Sequence, residues 1–318
     1  MTIGTAWIRR GPSSEELWLA SDSRLTDSEK IWDACPKLLP LPRHGAVAGF
    51  SGSTAEAYPL LLQLANAINW YHAAADGTLE FFKLLSHLEH VTNAMMNRIV
   101  PDPAMIGLPS DRPNFSQSGD TLIIGGYSRA QGRMVIRTLR YLSHERKWEF
   151  HHVPSRRSLG RDRVIGIFGD NKSVSRFRYL LSLLLEERGI RSGQTFNYEP
   201  LEILVTMLRM PESTASRLPM DRRPTTIGGA PQIIRVLPGA QATVMAVQWE
   251  EEDRTAIYLQ GRETFRYENL DVPLIAFENL GPHQYARAHW PASAVLSQEA
   301  ANSSTEKIVE FDELPEDL

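Results

Sequence analysis

Cysteine is almost missing: the 318 residues include one, Cys35. A lone thiol excludes an intramolecular disulfide and any zinc or iron–sulfur centre held by several cysteines. Positive charge is not in excess either. With 34 Lys and Arg against 38 Asp and Glu, the formal net charge is −4. A broad nucleic-acid or acidic-membrane footprint is therefore not expected. No apolar run approaches the ~20 residues that span a bilayer. The opening segment, Met1 to Arg10, places its arginine pair after a short apolar stretch, the reverse of a secretory signal. The expectation is a cytoplasmic protein with neither membrane nor nucleic-acid partners.

Familiar catalytic and binding motifs are missing as well. The sequence has no G-x-x-x-x-G-K-[ST] phosphate loop, no G-x-G-x-x-G after a strand and no H-E-x-x-H. Gly49-Phe50-Ser51-Gly52-Ser53 ends in serine where a serine-hydrolase elbow needs glycine. His87 and His90, three apart on a helix, have the spacing of shared metal ligands and equally that of packed or solvated histidines. His151 and His152 alternate along a strand and face opposite ways. No cofactor and no metal are implied.

What is present is a block pattern. Strands are expected over Thr2–Arg10, Leu17–Asp22, Lys37–Leu39 and Gly45–Ser51, with a polar loop at Ser23–Asp33. Two helices follow, carrying Tyr58, Leu61, Leu62, Ala65 and Ile68, then Phe81, Leu84, Leu85, Leu88, Val91, Met95 and Ile99, with Thr78 as an N-cap. Pro101–Ser118 reads as a loop. Strands return at Thr121–Tyr127, Met134–Leu142, Trp148–Val153 and Arg163–Phe168. Helices follow at Ser173–Glu187 and Leu201–Met210, then strands at Ile227–Val236, Thr243–Trp249 and Thr255–Leu259. Strands and helices in alternating blocks favour an α+β fold in which two helix pairs cover two stacked sheets. Beyond Ala292 the composition turns acidic: seven acidic residues against one lysine between Glu299 and Leu318 read as a solvated tail.

One constellation near the start carries chemistry: Thr2, Asp22, Lys37 and the turn Gly49-Phe50-Ser51-Gly52-Ser53-Thr54. A threonine hydroxyl attacks only when a base takes its proton, and a free α-amine on the same residue can be that base. The ordinary α-amine value, about 7.7–8.0, suits neutral pH. A lysine ammonium nearby pushes the amine towards its neutral form, and an aspartate beside that lysine holds it. A glycine turn entering a helix offers backbone N–H groups to an oxyanion. The same residues also admit plainer roles: Thr2 as the start of an edge strand, Lys37 as a surface lysine, Cys35 as a packed thiol.

Thr2-Ile3, Leu19-Ala20-Ser21-Asp22-Ser23, Lys37 and Ala48-Gly49-Phe50-Ser51-Gly52-Ser53-Thr54-Ala55-Glu56-Ala57 resemble the proteasome β-type peptidases. The nearest resemblance is to the bacterial proteasome-like peptidase of two-component ATP-dependent proteases. The last segment follows the family's G-F-A-G-G-T-A-D-A almost position for position. The resemblance is sharp over residues 2–70. It implies a four-layer αββα sandwich, the N-terminal-nucleophile hydrolase fold, over residues 1–240. A β-rich extension at 241–291 and the acidic tail at 292–318 would follow.

Carried over by position, Thr2 is the nucleophile after Met1 removal and Asp22 and Lys37 are supporting charges. Gly52 supplies an oxyanion N–H, and Phe50, Ser51 and Ser53 border the substrate. The resemblance further implies a ring of like subunits, an AAA-type ATPase partner, and peptide or protein substrates. Two departures stand out. Phe168-Gly169-Asp170 occupies the place of the family's Gly-Ser-Gly, and Pro224-Thr225-Thr226-Ile227 leaves Asp221 a poor match to the family's later aspartate. Aligning Ile3 and Thr5 with the family's first strand puts Met1 at the nucleophile position. Three readings thus stay open: a threonine-type peptidase, a non-catalytic subunit retaining Met1, and an amidase for small substrates.

Overall fold

The structure is a computed structural model. It describes residues 2–11, 13–27, 30–96, 121–142, 145, 147–153, 163–191, 194–209, 226–251, 254–265, 267–268, 270–277 and 288–289. The expected loop at 101–118, the acidic tail, Met1 and Asp221 lie outside the described residues.

The chain opens with a tight antiparallel pair, β1 (Ile3–Arg10) and β2 (Glu15–Ser21). Alternation sends Ile3 and Trp7 of β1 to one side and Ala6 to the other. Trp7 stacks on Trp18 at 5.9 Å, and each indole N–H finds an acceptor, Asn197 O at 2.8 Å and Glu16 Oε2 at 2.8 Å respectively. The segment expected as a polar loop contains a small hairpin, β3 (Leu25–Asp27) and β4 (Lys30–Trp32). Its second strand is exposed throughout, so no in–out alternation marks it in the sequence.

β5 (Leu38–Pro40) and β6 (Ala46–Ser51) begin a second sheet and are followed by α1 (Thr54–Asn69), the single turn α2 (His72–Ala75) and α3 (Phe81–Met96). Thr78 does not cap α3. Its hydroxyl and N–H both turn back to Asp76 Oδ1 at 2.8 Å, and Glu80 accepts from the Phe82 N–H at 2.6 Å instead. An Asx turn thus outcompetes the cap. The second sheet continues through β7 (Thr121–Ser128), β8 (Arg133–Leu142) and β9 (Lys147–His152), all antiparallel in the order β5-β6-β7-β8-β9.

β10 (Ile165–Gly169) returns to the first sheet beside β1. It leads into α4 (Asn171–Glu187), which Asp170 caps through the Ser173 N–H at 2.9 Å, and then α5 (Glu199–Arg209). β11 (Gln232–Val236) pairs with β2 and starts later than expected. Residues 227–231 instead wrap around Ser23, whose N–H bonds Gly228 O at 3.1 Å and whose hydroxyl bonds Ala230 O at 2.8 Å. β12 (Thr243–Glu251), β13 (Arg254–Leu259), β14 (Arg262–Glu263), β15 (Leu274–Phe277) and β16 (Ala288–His289) extend the same sheet. β15 joins β12 in parallel, and a single parallel bridge links Arg9 to Phe196; the other strand pairs among the described residues are antiparallel.

Among the described residues, three apolar clusters hold these elements. The first sheet packs Ile3, Trp7, Trp18 and Ile233 against Phe177, Leu181 and Leu184 of α4 and Leu201, Leu204 and Val205 of α5. The second packs Ala48, Phe50, Ile124 and Leu139 against Leu60, Leu64 and Ile68 of α1 and Leu84 and Leu88 of α3. A third draws on both sheets: Ala6, Leu17, Leu19, Phe168 and Ile234 from one, Leu38, Val47, Ile123 and Ile136 from the other. Burying each Leu, Ile, Val or Phe among them contributes roughly 1.5–3 kcal/mol. Among the described residues, no helix is long and apolar enough to cross a membrane.

Candidate active site

The first residues of β1, the residues just past β2 and the residue before β5 converge at one end of the two sheets. Lys37 Nζ donates to Thr2 Oγ1 at 3.0 Å and to Asp22 Oδ1 at 2.9 Å. Asp22 Oδ1 also accepts the Ile3 N–H at 3.0 Å, and Asp22 N–H reaches Ile3 O at 3.0 Å. Thr2 is 5% exposed, Lys37 2% and Asp22 0%, so the triad is shielded from water. Burial pushes the Asp22 carboxyl above the ordinary carboxylate range, and the Lys37 ammonium and the Ile3 N–H pull against it.

Lys37 is held by its backbone. Its N–H donates to Gln232 Oε1 at 2.8 Å, its carbonyl accepts the Phe50 N–H at 3.1 Å, and Gln232 Nε2 donates to Cys35 O at 2.5 Å. Gln232 is fully buried on β11 and pins the Cys35–Lys37 segment to the first sheet. Sequence reasoning passed over Gln232, because nothing local distinguishes a glutamine at a strand start.

The turn after β6 holds the other expected residues. Ser51 is 4% exposed, and its Oγ is buried without a hydrogen-bond partner among the described residues. Gly52 follows with φ 116°, a left-handed value that disfavours any side chain, and Ser53 occupies the N-cap position of α1. Phe50 turns towards the helices, edge-on to Tyr58 at 5.1 Å. Strand alternation therefore gives Ser51 the opposite face from Phe50. Thr2, Asp22 and Lys37 are in direct contact. Phe50 joins them through the backbone bond to Lys37.

Cys35 is the packed thiol. Tyr58 donates to Pro36 O at 2.6 Å, and its oxygen lies 3.0 Å from Cys35 Sγ. Burial raises both the Cys35 thiol and the Tyr58 phenol above their ordinary values. His87 rests edge-on against Tyr71, and His90 is exposed. Among the described residues, no three His, Cys, Asp or Glu side chains cluster as metal ligands.

No family model matches the sequence, and no curated protein matches it. One solved structure similar to this chain is the Anbu (Gly-1) mutant from Hyphomicrobium sp. strain MC1. It shares 11% identity at a TM-score of 0.46, over 76% of this chain and 85% of that one.

Proposed function

We propose that the chain is a threonine-type N-terminal-nucleophile hydrolase acting on peptide bonds. The observation that carries this reading is the buried contact of Lys37 Nζ with both Thr2 Oγ1 and Asp22 Oδ1. An ammonium donating to a hydroxyl oxygen leaves that hydroxyl's proton directed elsewhere and stabilises the oxygen as the proton departs.

Once Met1 is removed, the Thr2 α-amine takes the proton of Thr2 Oγ1 as the oxygen bonds to the substrate carbonyl carbon. The carbonyl electron pair moves onto oxygen, where the Gly52 N–H at the entrance to α1 stabilises it. The resulting α-ammonium returns the proton to the leaving amine as the C–N bond breaks. This leaves an ester on Thr2, which water hydrolyses by the same route. The general base contributes about 10²–10⁴-fold. Ser51 and Ser53 border the substrate, and Phe50, packed against Tyr58 on the opposite face of β6, holds the turn that carries them.

The same reading assigns residues 1–240 to a four-layer αββα sandwich. The support is the two helix-covered clusters and the third cluster drawn from both sheets. Residues 241–291 extend it, and 292–318 form its tail. The resemblance of residues 2–70 to proteasome β-type peptidases extends the reading to a ring of like subunits served by an AAA-type ATPase in the cytoplasm.

Intact mass of the purified chain, cleavage of casein-type peptides against small amides, and sedimentation together test the proposal. Loss of Met1, peptide cleavage and a large sedimentation coefficient support it. Quantitative retention of Met1 supports a non-catalytic subunit, and cleavage of small amides alone supports an amidase.

A further inference from the structure

Past the last strand pair of β1 and β10, Ile3 with Gly169, the next two residues facing each other are Thr2 and Asp170, and the Asp170 N–H donates to Thr2 O at 3.2 Å. The Asp170 carboxylate is divided in its duties. Oδ1 caps α4 by accepting from the Ser173 N–H at 2.9 Å, whereas Oδ2 is shielded from solvent and has no hydrogen-bond partner among the described residues. An inaccessible carboxylate oxygen without a partner is costly unless something supplies a donor. Thr2 faces Asp170 across the strand pair, and removal of Met1 turns its single amide N–H into an α-amine, an ammonium with three rotatable N–H bonds when it takes the hydroxyl proton.

We infer that Asp170 is the positioning residue for the Thr2 α-amine, its Oδ2 receiving the N–H that the freed terminus presents. The inference rests on Thr2 being the nucleophile. Asp170 stands where the resembled family has a serine, and it offers a charge as well as an acceptor. Lys37 bonds Thr2 and Asp22 directly, and Asp170 faces Thr2 across the strand pair. Lys37 opposes a second positive charge on the amine, and Asp170 favours it. The amine thus stays neutral enough to accept a proton and is stabilised once it has done so. The proton moves from Thr2 Oγ1 to the amine nitrogen and later to the leaving group. Asp170 neither gains nor loses one.

Backbone geometry ties the two residues closely. Gly169 has φ +140°, and a Cβ there would overlap the carbonyl oxygen of Thr2. Only glycine lets β10 turn into α4 while keeping Asp170 against the chain start.

The test is the pH dependence of labelling by a β-lactone, followed by intact mass between pH 5 and 9, for the wild-type full chain, Asp170→Asn and Asp170→Ser. Asparagine caps helices as well as aspartate does, so a merely structural role predicts an unchanged profile and an unchanged melting temperature. Asparagine also puts an NH₂ where the amine needs an acceptor. Asp170→Asn should lower the plateau rate at least tenfold and move the acid limb down by about one pH unit. Asp170→Ser, which caps and offers a neutral oxygen, should recover part of the plateau rate but not the position of the limb. Asn and Ser profiles that superpose on wild type overturn the inference while leaving Thr2 as nucleophile. A wild-type chain that retains Met1 or takes no label overturns both. Should the Asn variant fail to fold, the Ser variant decides by the same limb.

Discussion

Lys37 Nζ, 3.0 Å from Thr2 Oγ1, is a donor to the one hydroxyl at the chain start that a free amine could deprotonate. Its other bond, 2.9 Å to Asp22, keeps the ammonium over that oxygen. The consequences of this relationship are measurable.

Removing Lys37 leaves Asp22 as a buried, unpaired charge. Lys37→Ala should lower stability by roughly 3–5 kcal/mol and abolish β-lactone labelling. Pairing Lys37→Met with Asp22→Asn should restore most of the stability and none of the labelling. Urea denaturation and intact mass on the same samples separate the two effects. Labelling that returns with stability would remove Lys37 from the site.

Gln232 tests whether the site depends on the backbone that carries Lys37. Gln232→Ala strands the Lys37 N–H and the Cys35 carbonyl, which Gln232 binds at 2.8 and 2.5 Å. The expected cost is about 2–4 kcal/mol, since two buried polar groups lose their partners. Labelling should slow although Thr2, Asp22 and Lys37 are intact. A variant with unchanged denaturation and labelling would show that β5 holds its place without β11.

Alkaline pH should weaken the fold through Cys35 and Tyr58. Burial raises the thiol above its ordinary 9.0 and the phenol above its ordinary 10.0. The native state therefore keeps protons that the unfolded chain releases. Their contribution is complete below about pH 9 and is lost as pH rises through the raised native values. Urea midpoints between pH 7.5 and 10.5 should fall, and fall less steeply in Cys35→Ala and Tyr58→Phe. A wild-type slope matched by both variants would assign the alkaline loss to other groups.

Gly169 couples the fold to the site. Gly169→Ala places a methyl against Thr2 O in a left-handed conformation. Strain and overlap together should cost more than about 2 kcal/mol and reduce labelling further than the stability loss explains. Thermal melting alongside labelling of the residual folded fraction measures both. An alanine variant with wild-type melting and labelling would mean the chain start is free to shift.

Much of this site is legible in the sequence because its parts lie close together. Thr2, Asp22 and Lys37 each sit at the edge of a short strand, and the Gly52 turn leads into the expected helix, although its buried stripe is Leu60, Leu61, Leu64 and Ile68 and the expected Leu62 is exposed. The apolar runs of β1 and β2, buried on both faces, and the helical spacing of α3 and α4 are equally plain. Gln232 is hidden because it meets Lys37 across 195 positions, and no local pattern encodes a long-range amide contact. The β3–β4 hairpin is hidden because Lys30, Ile31 and Trp32 are all exposed. The start of β11 shifts because residues 227–231 bond to Ser23 rather than to a neighbouring strand. At α3, Asp76 captures Thr78 before the helix can, a competition that composition leaves undecided.

The most direct measurement is the site of covalent capture. The purified full chain, treated with a β-lactone at neutral pH, should gain one adduct by intact mass, and peptide mapping should locate it on Thr2 as the first residue of a chain lacking Met1. Thr2→Ala should gain none while melting as the wild type does. An adduct that persists in Thr2→Ala, or a wild-type chain that keeps Met1 and stays unmodified, would contradict the assignment of Thr2 as the nucleophile.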